Sequence, residues 1–523
     1  VSDAPTPPAA TSSTQPAQIQ YASPLVALRH PHFRLIWFAA FGSYLGNWFE
    51  FVAVRWLVTD EAKLLEGGGT PIRAEDWMAY LSIAQLGPTL FLGLFGGLVA
   101  DSVNRRSLLI ATQLAMMVIA LAMAAAAFTG QANRWTLLVL VLAQGIAVPF
   151  NNPAWQVLTP RLVPKDELHL AITLNGISFN IARTVGPAIA GLIMALFKSP
   201  AVAAVPVGLL LVAAGDASSV SPITEGTSRG AAALLLFNAL TFIGVMLAVL
   251  KTPDAPAPPE LAGAWRRPGV AFARSKEALA WVWSRKGPRA VVAAIVVFAV
   301  LATPVMPLMS VLVHDVHGGK EDTFGVFVAV MGLGAVTGGL AMKYVPPWYP
   351  MHHFIPLSCT LGGLFILLFG LADDTAWSLF TLFFVGVFWM WGFNSTAVAL
   401  QKLAPDDMRG RISSVVNMIA MGLMPLGPIL ASATGHAAER LFVSSGLIHK
   451  TPGLSTQLGL AICAAILLVA SLVMLIWRTP EVDNINPDDP TYDRQPGLLR
   501  GIFAPNHRPR PAAPSTGFED AAK

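Results

Sequence analysis

Two ionisable residues stand deep inside apolar runs, where a charge is costly and therefore points to a function. Glu50 lies sixteen residues into a segment at 34–59, and Arg183 fifteen residues into one at 168–197. At helical rise both sit about 24 Å along their segments. A carboxylate at that depth can bind and release a proton, and a guanidinium there can pair with a carboxylate. Asn47 precedes Glu50 by three positions, so the two can face one way on a helix. Gln144, Asn151, Asn152 and Asn394 place amides in other apolar runs, able to hydrogen-bond a polar cargo or one another between helices. Trp389, with Trp48, Phe49, Trp155, Phe388 and Trp391, offers an aromatic wall or ordinary packing. Arg55 is expected to snorkel to the nearer surface. His314 and Asp315 read as a solvated helix end, and His352 and His353 as a loop. No phosphate-binding loop, zinc-ligand spacing or nucleophile elbow is present in the sequence, so the expectation is a protein without cofactor or metal, and not an enzyme.

The elements that must position these residues follow from composition. Of 523 residues, 54% are hydrophobic and 12% charged, against about a quarter charged in a soluble domain. A mean hydropathy of +0.59 agrees. An ordinary soluble enzyme, a disordered chain and a nucleic-acid binder are excluded; an all-α polytopic membrane protein remains. Long apolar runs without alternation favour helices over a membrane barrel. Twelve such segments lie between residues 34 and 477. Cys359 and Cys463 both sit in apolar runs, so no disulfide framework is implied.

The basic residues set the expected orientation. With twelve spans, 24 of the 34 Lys and Arg fall on one side and 8 on the other, with Arg55 and Arg183 inside spans. Basic loops stay cytoplasmic, so both termini are expected inside. Residues 1–28 and 479–523 read as flexible cytoplasmic tails. Residues 29–250 and 288–478 read as two six-helix bundles, joined by a cytoplasmic linker at 251–287 with an amphipathic helix in KEALAWVWSRK. A stretch at 198–229 reads as an outer-side insertion rather than a thirteenth span.

A repeat supports the two halves. A shift of 241 residues places Gly145 on Gly386, Arg161 on Lys402, Pro164 on Pro405, and Gly186-Pro187 on Gly427-Pro428. Parallel six-helix repeats imply a pseudo-twofold axis along the membrane normal, with a crevice between the halves as the substrate path.

The junction GGLVADSVNRRSLL carries Gly97, Asp101, Arg105 and Arg106 in a pattern that resembles the signature loop of the major facilitator superfamily, with Ser102 and Asn104 as departures. There Gly97 is expected to permit close helix approach, Asp101 to pair with a neighbouring span, and Asn104 to form the tight turn. In ARTVGPAIAG, Gly186, Pro187 and Gly191 resemble the superfamily's antiporter motif, a hinge that seals against the other half, with Gly427 and Pro428 as the repeat-equivalent hinge. These segments, with LAPDDMRGRISSVVNMIAMGLMPLGPILA, are similar to the branch that includes enterobactin exporters and transmembrane secretion effectors. The resemblance implies twelve helices in two pseudo-symmetric six-helix bundles in a bacterial inner membrane. It implies export of a small amphipathic molecule, such as a siderophore or drug, by proton antiport and alternating access. It also implies that the first and fifth spans are neighbours, so that Glu50 and Arg183 can form a buried pair, either a proton switch or a permanent brace. The expected partners are a small-molecule substrate, protons and the lipid bilayer. An importer, or a transporter-like subunit docked to a membrane complex through its tails and the 198–229 insertion, is the alternative.

Overall fold

A computed structural model describes residues 23–66, 73–158, 162–164, 167–198, 225–252, 268–346, 349–405, 408–477 and 479–483. The N-terminal bundle contains α1 (Pro31–Glu66), α2 (Ala74–Ser102), α3 (Arg105–Phe128), α4 (Arg134–Leu158), α5 (Leu168–Phe197) and α6 (Glu225–Leu250). Then come the linker helix α7 (Pro268–Ser284) and α8 (Lys286–Leu301), α9 (Val305–Asp315), α10 (Glu321–Ala341), α11 (Met351–Gly370), α12 (Thr375–Leu403), α13 (Arg409–Leu423), α14 (Leu426–Ser444) and α15 (Leu454–Trp477). In lipid, each backbone N–H must be satisfied within its own segment, which long apolar runs achieve as helices.

Among the described residues, eleven spans are long and apolar enough to cross a membrane, with α8–α9 and α13–α14 each forming one. The twelfth is α1. Its 36 residues exceed the length of any other single helix, but Asn47, Glu50 and Arg55 dilute its apolar character. It packs against α5 and α6, and Asn238 of α6 meets Glu50.

Two spans are interrupted. Proline removes a backbone donor and clashes with the preceding turn: α8 gives way to α9 at Pro304, and α13 to α14 at Pro425. The interruptions touch. Thr303 Oγ1 donates to the carbonyls of Ala299 at 2.5 Å and of Met424 at 3.2 Å. A Cβ on Gly427 would fall 2.2 Å from the Val300 carbonyl oxygen, so only glycine lets these segments meet. By contrast Pro187 lies within an uninterrupted α5.

Several expectations change. Part of the N-terminal tail is folded: residues Pro24–Arg29 form a 3₁₀ turn, held by Arg29 and His30 on Glu167 at the start of α5. The C-terminal tail is also anchored where it begins, because Pro480–Asp483 form a turn with Val482 buried. Residues 1–22, 199–224 and 484–523 lie outside the described residues, which takes in most of the 198–229 insertion. His352 and His353 are buried in the first turn of α11 rather than in a loop.

Asp483 caps α11. Its carboxylate accepts from the backbone N–H of Met351 at 2.8 Å and of His352 at 3.1 Å, and bonds His352 Nδ1 at 2.5 Å. Burial pushes the Asp483 carboxyl up, but His352 and the two backbone donors outweigh it and hold the group below its ordinary range. A depressed carboxyl stabilises the fold above its unfolded value and loses that contribution as pH falls through the folded value. Asp483→Ala is expected to cost about 1–2 kcal/mol. Thermal inactivation in detergent at pH 7 should show the loss, and the gap from the unaltered protein should shrink as pH drops below 4, roughly the ordinary Asp value.

Candidate functional site: a chamber between the bundles

Two adjoining chambers lie in the helical body. A cavity of about 440 Å³ lies between the bundles, lined by Trp48, Phe51 and Arg55 from α1, Phe179 from α5, Met306 and Trp389 from the other bundle, and both interrupted spans. A second, of about 290 Å³, lies within the N-terminal bundle and is polar: Glu50, Gln85, Gln113, Gln144, Asn151 and Asn152 line it. Tyr44, Asn47, Gln85 and Leu86 border both.

Glu50 is 6% exposed, at the wall of the polar chamber. Asn238 Nδ2 of α6 donates to its carboxylate at 2.6 Å, and Gln144 and Arg55 face the same group. Arg55 does not snorkel. The helix continues eleven residues beyond it, so it lies mid-span and 5% exposed. Its guanidinium stacks over Phe51 at 3.7 Å and donates from Nη2 to Gln85 Oε1 at 2.9 Å.

The structure does not bring Glu50 and Arg183 together. Glu50 turns toward α4 and α6, whereas Arg183 lies with its guanidinium carbon 5.9 Å from the Trp389 ring centroid, across the interface. Equal depth on neighbouring helices did not fix the facing side, because each residue turns a helix by about 100°.

The other predicted residues separate in the same way. Asn47, Gln144, Asn151, Asn152 and Trp389 border the chambers. Asn151 Oδ1 is already engaged, accepting from Thr112 Oγ1 and Gln113 Nε2, both at 3.1 Å. Asn394 is not at the site; it donates to Met390 Sδ on its own helix at 3.5 Å. Gly97 does not mediate helix approach: a Cβ there would meet nothing within 4 Å, whereas one on Gly96 would fall 2.1 Å from the Pro149 carbonyl oxygen. Asp101, at the end of α2, pairs at 3.6 Å with Arg105, the first residue of the neighbouring α3, as the sequence leads one to expect. Arg106 donates to the Leu250 carbonyl at the end of α6. Asn104 has extended backbone and caps α3 by accepting from the N–H of Arg106 and Ser107. Gly186 packs on Trp48, and Gly191 meets Gly325 of α10, so the ARTVGPAIAG segment does touch the other bundle. Gly427 and Pro428 lie at the α13–α14 interruption.

Sequence reasoning missed Asn238, Gln85 and Gln113. Each is a lone polar residue in an apolar helix, the same signal that marked Gln144 and Asn151. It also missed the seal. At the end where α1 leads into α2, Glu75 accepts from Ser455 Oγ at 2.6 Å and bonds His436 Nε2 at 2.9 Å. Arg73 pairs with Glu439, and Ser432 Oγ donates to Asp76. Lys63 pairs with Asp315 at 2.7 Å and Lys198 with Glu321 at 2.9 Å. All of these join one bundle to the other, so Asp315 is part of a rim and not a solvated helix end.

Comparison with known proteins agrees with this architecture. The family model for transmembrane secretion effectors matches residues 22–214 and 217–496. The chain is 22% identical over 396 residues to the staphyloferrin A transporter of Staphylococcus aureus (strain NCTC 8325 / PS 47), covering 75% of this chain and 87% of that protein. It is 20% identical over 366 residues to macrolide efflux protein A of Streptococcus pyogenes, covering 68% and 78%. Among solved structures, a bacterial homolog of the human lysosomal transporter Spinster, inward-facing and unoccupied, aligns with a TM-score of 0.60 at 13% identity over 86% of this chain and 95% of that one. A D-xylose–proton symporter aligns with a TM-score of 0.57 at 14% identity over 84% and 96%. A multi-pass membrane protein with this fold, this chamber and this match along nearly its whole length belongs to the transmembrane secretion effector family of major facilitator transporters.

Proposed function

We propose that the protein exports a small amphipathic molecule from the cytoplasm by proton antiport, with the two bundles rocking around the central chamber. The observation that carries this reading is the chamber itself: mainly apolar walls between two bundles, an ion-paired rim at one end, and a buried carboxylate in the adjoining polar chamber. Basic residues concentrate at the opposite end, which supports a bacterial inner-membrane location with that end and both termini in the cytoplasm. The rim then closes the outer side. Relatives named for a siderophore and for macrolides support an amphipathic cargo.

Glu50 is the proposed proton site. Ionised, it accepts the Asn238 amide in a charge-assisted bond and offsets Arg55 on its own helix; protonated, it no longer offsets Arg55 and holds the amide more weakly, and the α1–α6 contact loosens. The Arg106 bond to the end of α6 and the Asp101–Arg105 pair brace the cytoplasmic ends of α2, α3 and α6, so they move as a unit when the inner side closes. Gly191 and Gly325, which face each other, serve as the pivot between bundles.

The test is transport in sealed vesicles of known orientation, with staphyloferrin A and a macrolide as probes. The unaltered protein should accumulate at least one probe against its gradient when driven only by a pH step. Glu50→Gln should lose uphill accumulation yet keep downhill exchange. Undiminished uphill accumulation by Glu50→Gln would remove the proton role. Flux in the opposite direction would make the protein an importer.

A further inference from the structure

Separating Glu50 from Arg183 leaves a charge unaccounted for. Arg55 and Glu50 offset each other on α1. Arg183 has no such complement: among the described residues it has neither an ion pair nor a hydrogen bond, and its one contact of note is the face of Trp389. It is only partly buried, and none of its nitrogens is fully buried. A guanidinium in the middle of a membrane protein carries five donors in a planar fork and a charge that low-dielectric surroundings penalise. Trp389 can satisfy part of the charge through its π face but none of the donors.

The surroundings narrow what could satisfy them. Trp389, Trp48 and Phe179 line the chamber together with Met306, Met421 and Met424; Arg183 stands behind that wall, one turn beyond Phe179 on α5 and against Trp389. That wall suits a flat apolar body. The planar fork suits a group with two coplanar oxygens. Gly186 lies one turn beyond Arg183 and packs on Trp48, so α5 is held against the chamber at this depth.

We infer that the central chamber selects molecules bearing a carboxylate, which Arg183 holds while an apolar or aromatic body lies against Trp389. This rests on the reading of the chamber as the transport site and adds the chemical class of its occupant. Arg183 is then a specificity-determining residue, and the cargo supplies the counter-charge that the protein lacks.

The experiment measures equilibrium binding to the purified full-length protein of three probes with one aromatic body: 2-naphthoate, 2-naphthamide and 2-naphthalenemethanol. Charge-assisted bonds outweigh neutral ones enough to favour naphthoate by about tenfold to a hundredfold. Arg183→Gln should abolish that preference while leaving amide binding within about twofold, and Arg183→Lys should keep part of it, because charge remains without the fork. Equal affinity for the three probes on the unaltered protein overturns the inference, and needs no variant to fold. So does a preference that survives Arg183→Gln, or one that disappears in Arg55→Gln alone. Transport run in parallel separates the two readings. Naphthoate binding at Arg183 without any uphill transport defeats the exporter and leaves the selectivity standing. Uphill transport of either larger probe, with no naphthoate preference, does the reverse.

Discussion

Glu75→Gln should open the sealed end. Glu75 is 1% exposed and sits where three partners from the other bundle and its own converge: His436, Ser455 and, at 3.9 Å, Arg73. The amide keeps the size but loses the charge, leaving Arg73 and His436 with less to hold them. Removing one partner of a buried charge pair costs about 3–5 kcal/mol. The cost falls on the closed state, because His436 and Ser455 belong to the other bundle and part from Glu75 when the rim opens. Rearrangement around Arg73 and Glu439 recovers some of it. If half is recovered, the ratio of closed to open molecules still falls by about tenfold, at 1.4 kcal/mol per decade. A reporter Met306→Cys in the central chamber reads this directly, since the native Cys359 and Cys463 are both buried. A membrane-impermeant maleimide applied from the rim side should label the Glu75→Gln protein about tenfold faster or more. Lys450→Ala is the internal control. Lys450 is 67% exposed and 3.7 Å from Glu439, a surface pair worth about 0–1 kcal/mol, and it should leave labelling unchanged. Unchanged labelling in Glu75→Gln would locate the seal in the α5–α10 glycine contact instead.

The difference between what the sequence reveals and what it hides follows from helix geometry. Twelve spans are legible because hydrocarbon enforces about twenty apolar residues per crossing. Glu50, Arg183 and the amides are legible because each breaks such a run. Their partners are not, because the direction of a side chain depends on rotation about the helix axis and on the register of the neighbouring helix. That is why Glu50 meets Asn238, 188 residues away, rather than Arg183. It is also why Gly96, and not its neighbour Gly97, presses on α4. Arg55 was misplaced for another reason: the apolar run ends near residue 59, while the helix continues to Glu66, so distance to the surface was underestimated. The rim was illegible because its charges lie at helix ends, where a solvated residue and an ion pair have the same sequence signature. Glu75 and His436 are 361 residues apart, and only the docking of two bundles makes them neighbours.

The repeat makes the second large prediction. Gly145 and Gly386 stand at the 241-residue offset, and both do the same thing. A Cβ on Gly145 of α4 would fall 2.2 Å from the Ala84 carbonyl oxygen of α2, and one on Gly386 of α12 would fall 2.0 Å from the Met331 carbonyl oxygen of α10. In each bundle, then, the fourth span presses its backbone against the second at this repeat-related glycine. The obstructing atoms are backbone, so no rotamer change relieves the overlap, and the helices themselves must separate. Overpacking costs about 1–3 kcal/mol where side chains can adjust, so Gly145→Ala and Gly386→Ala should each reach the top of that range or exceed it. Thermal inactivation followed by size-exclusion chromatography in detergent would show both. The sites lie in separate bundles without shared partners, so the double substitution should be close to additive. Gly96→Ala should behave like them, since its Cβ would meet the Pro149 carbonyl oxygen at 2.1 Å. Gly97→Ala and Gly244→Ala, with nothing within 4 Å, should be neutral or gain up to about 1 kcal/mol from helix propensity. A loss at Gly97 equal to that at Gly96 would mean that the motif glycine matters for another conformation of the bundles. Loss at Gly145 without loss at Gly386 would mean that the two halves, though related in sequence, no longer share the contact that holds each of them together.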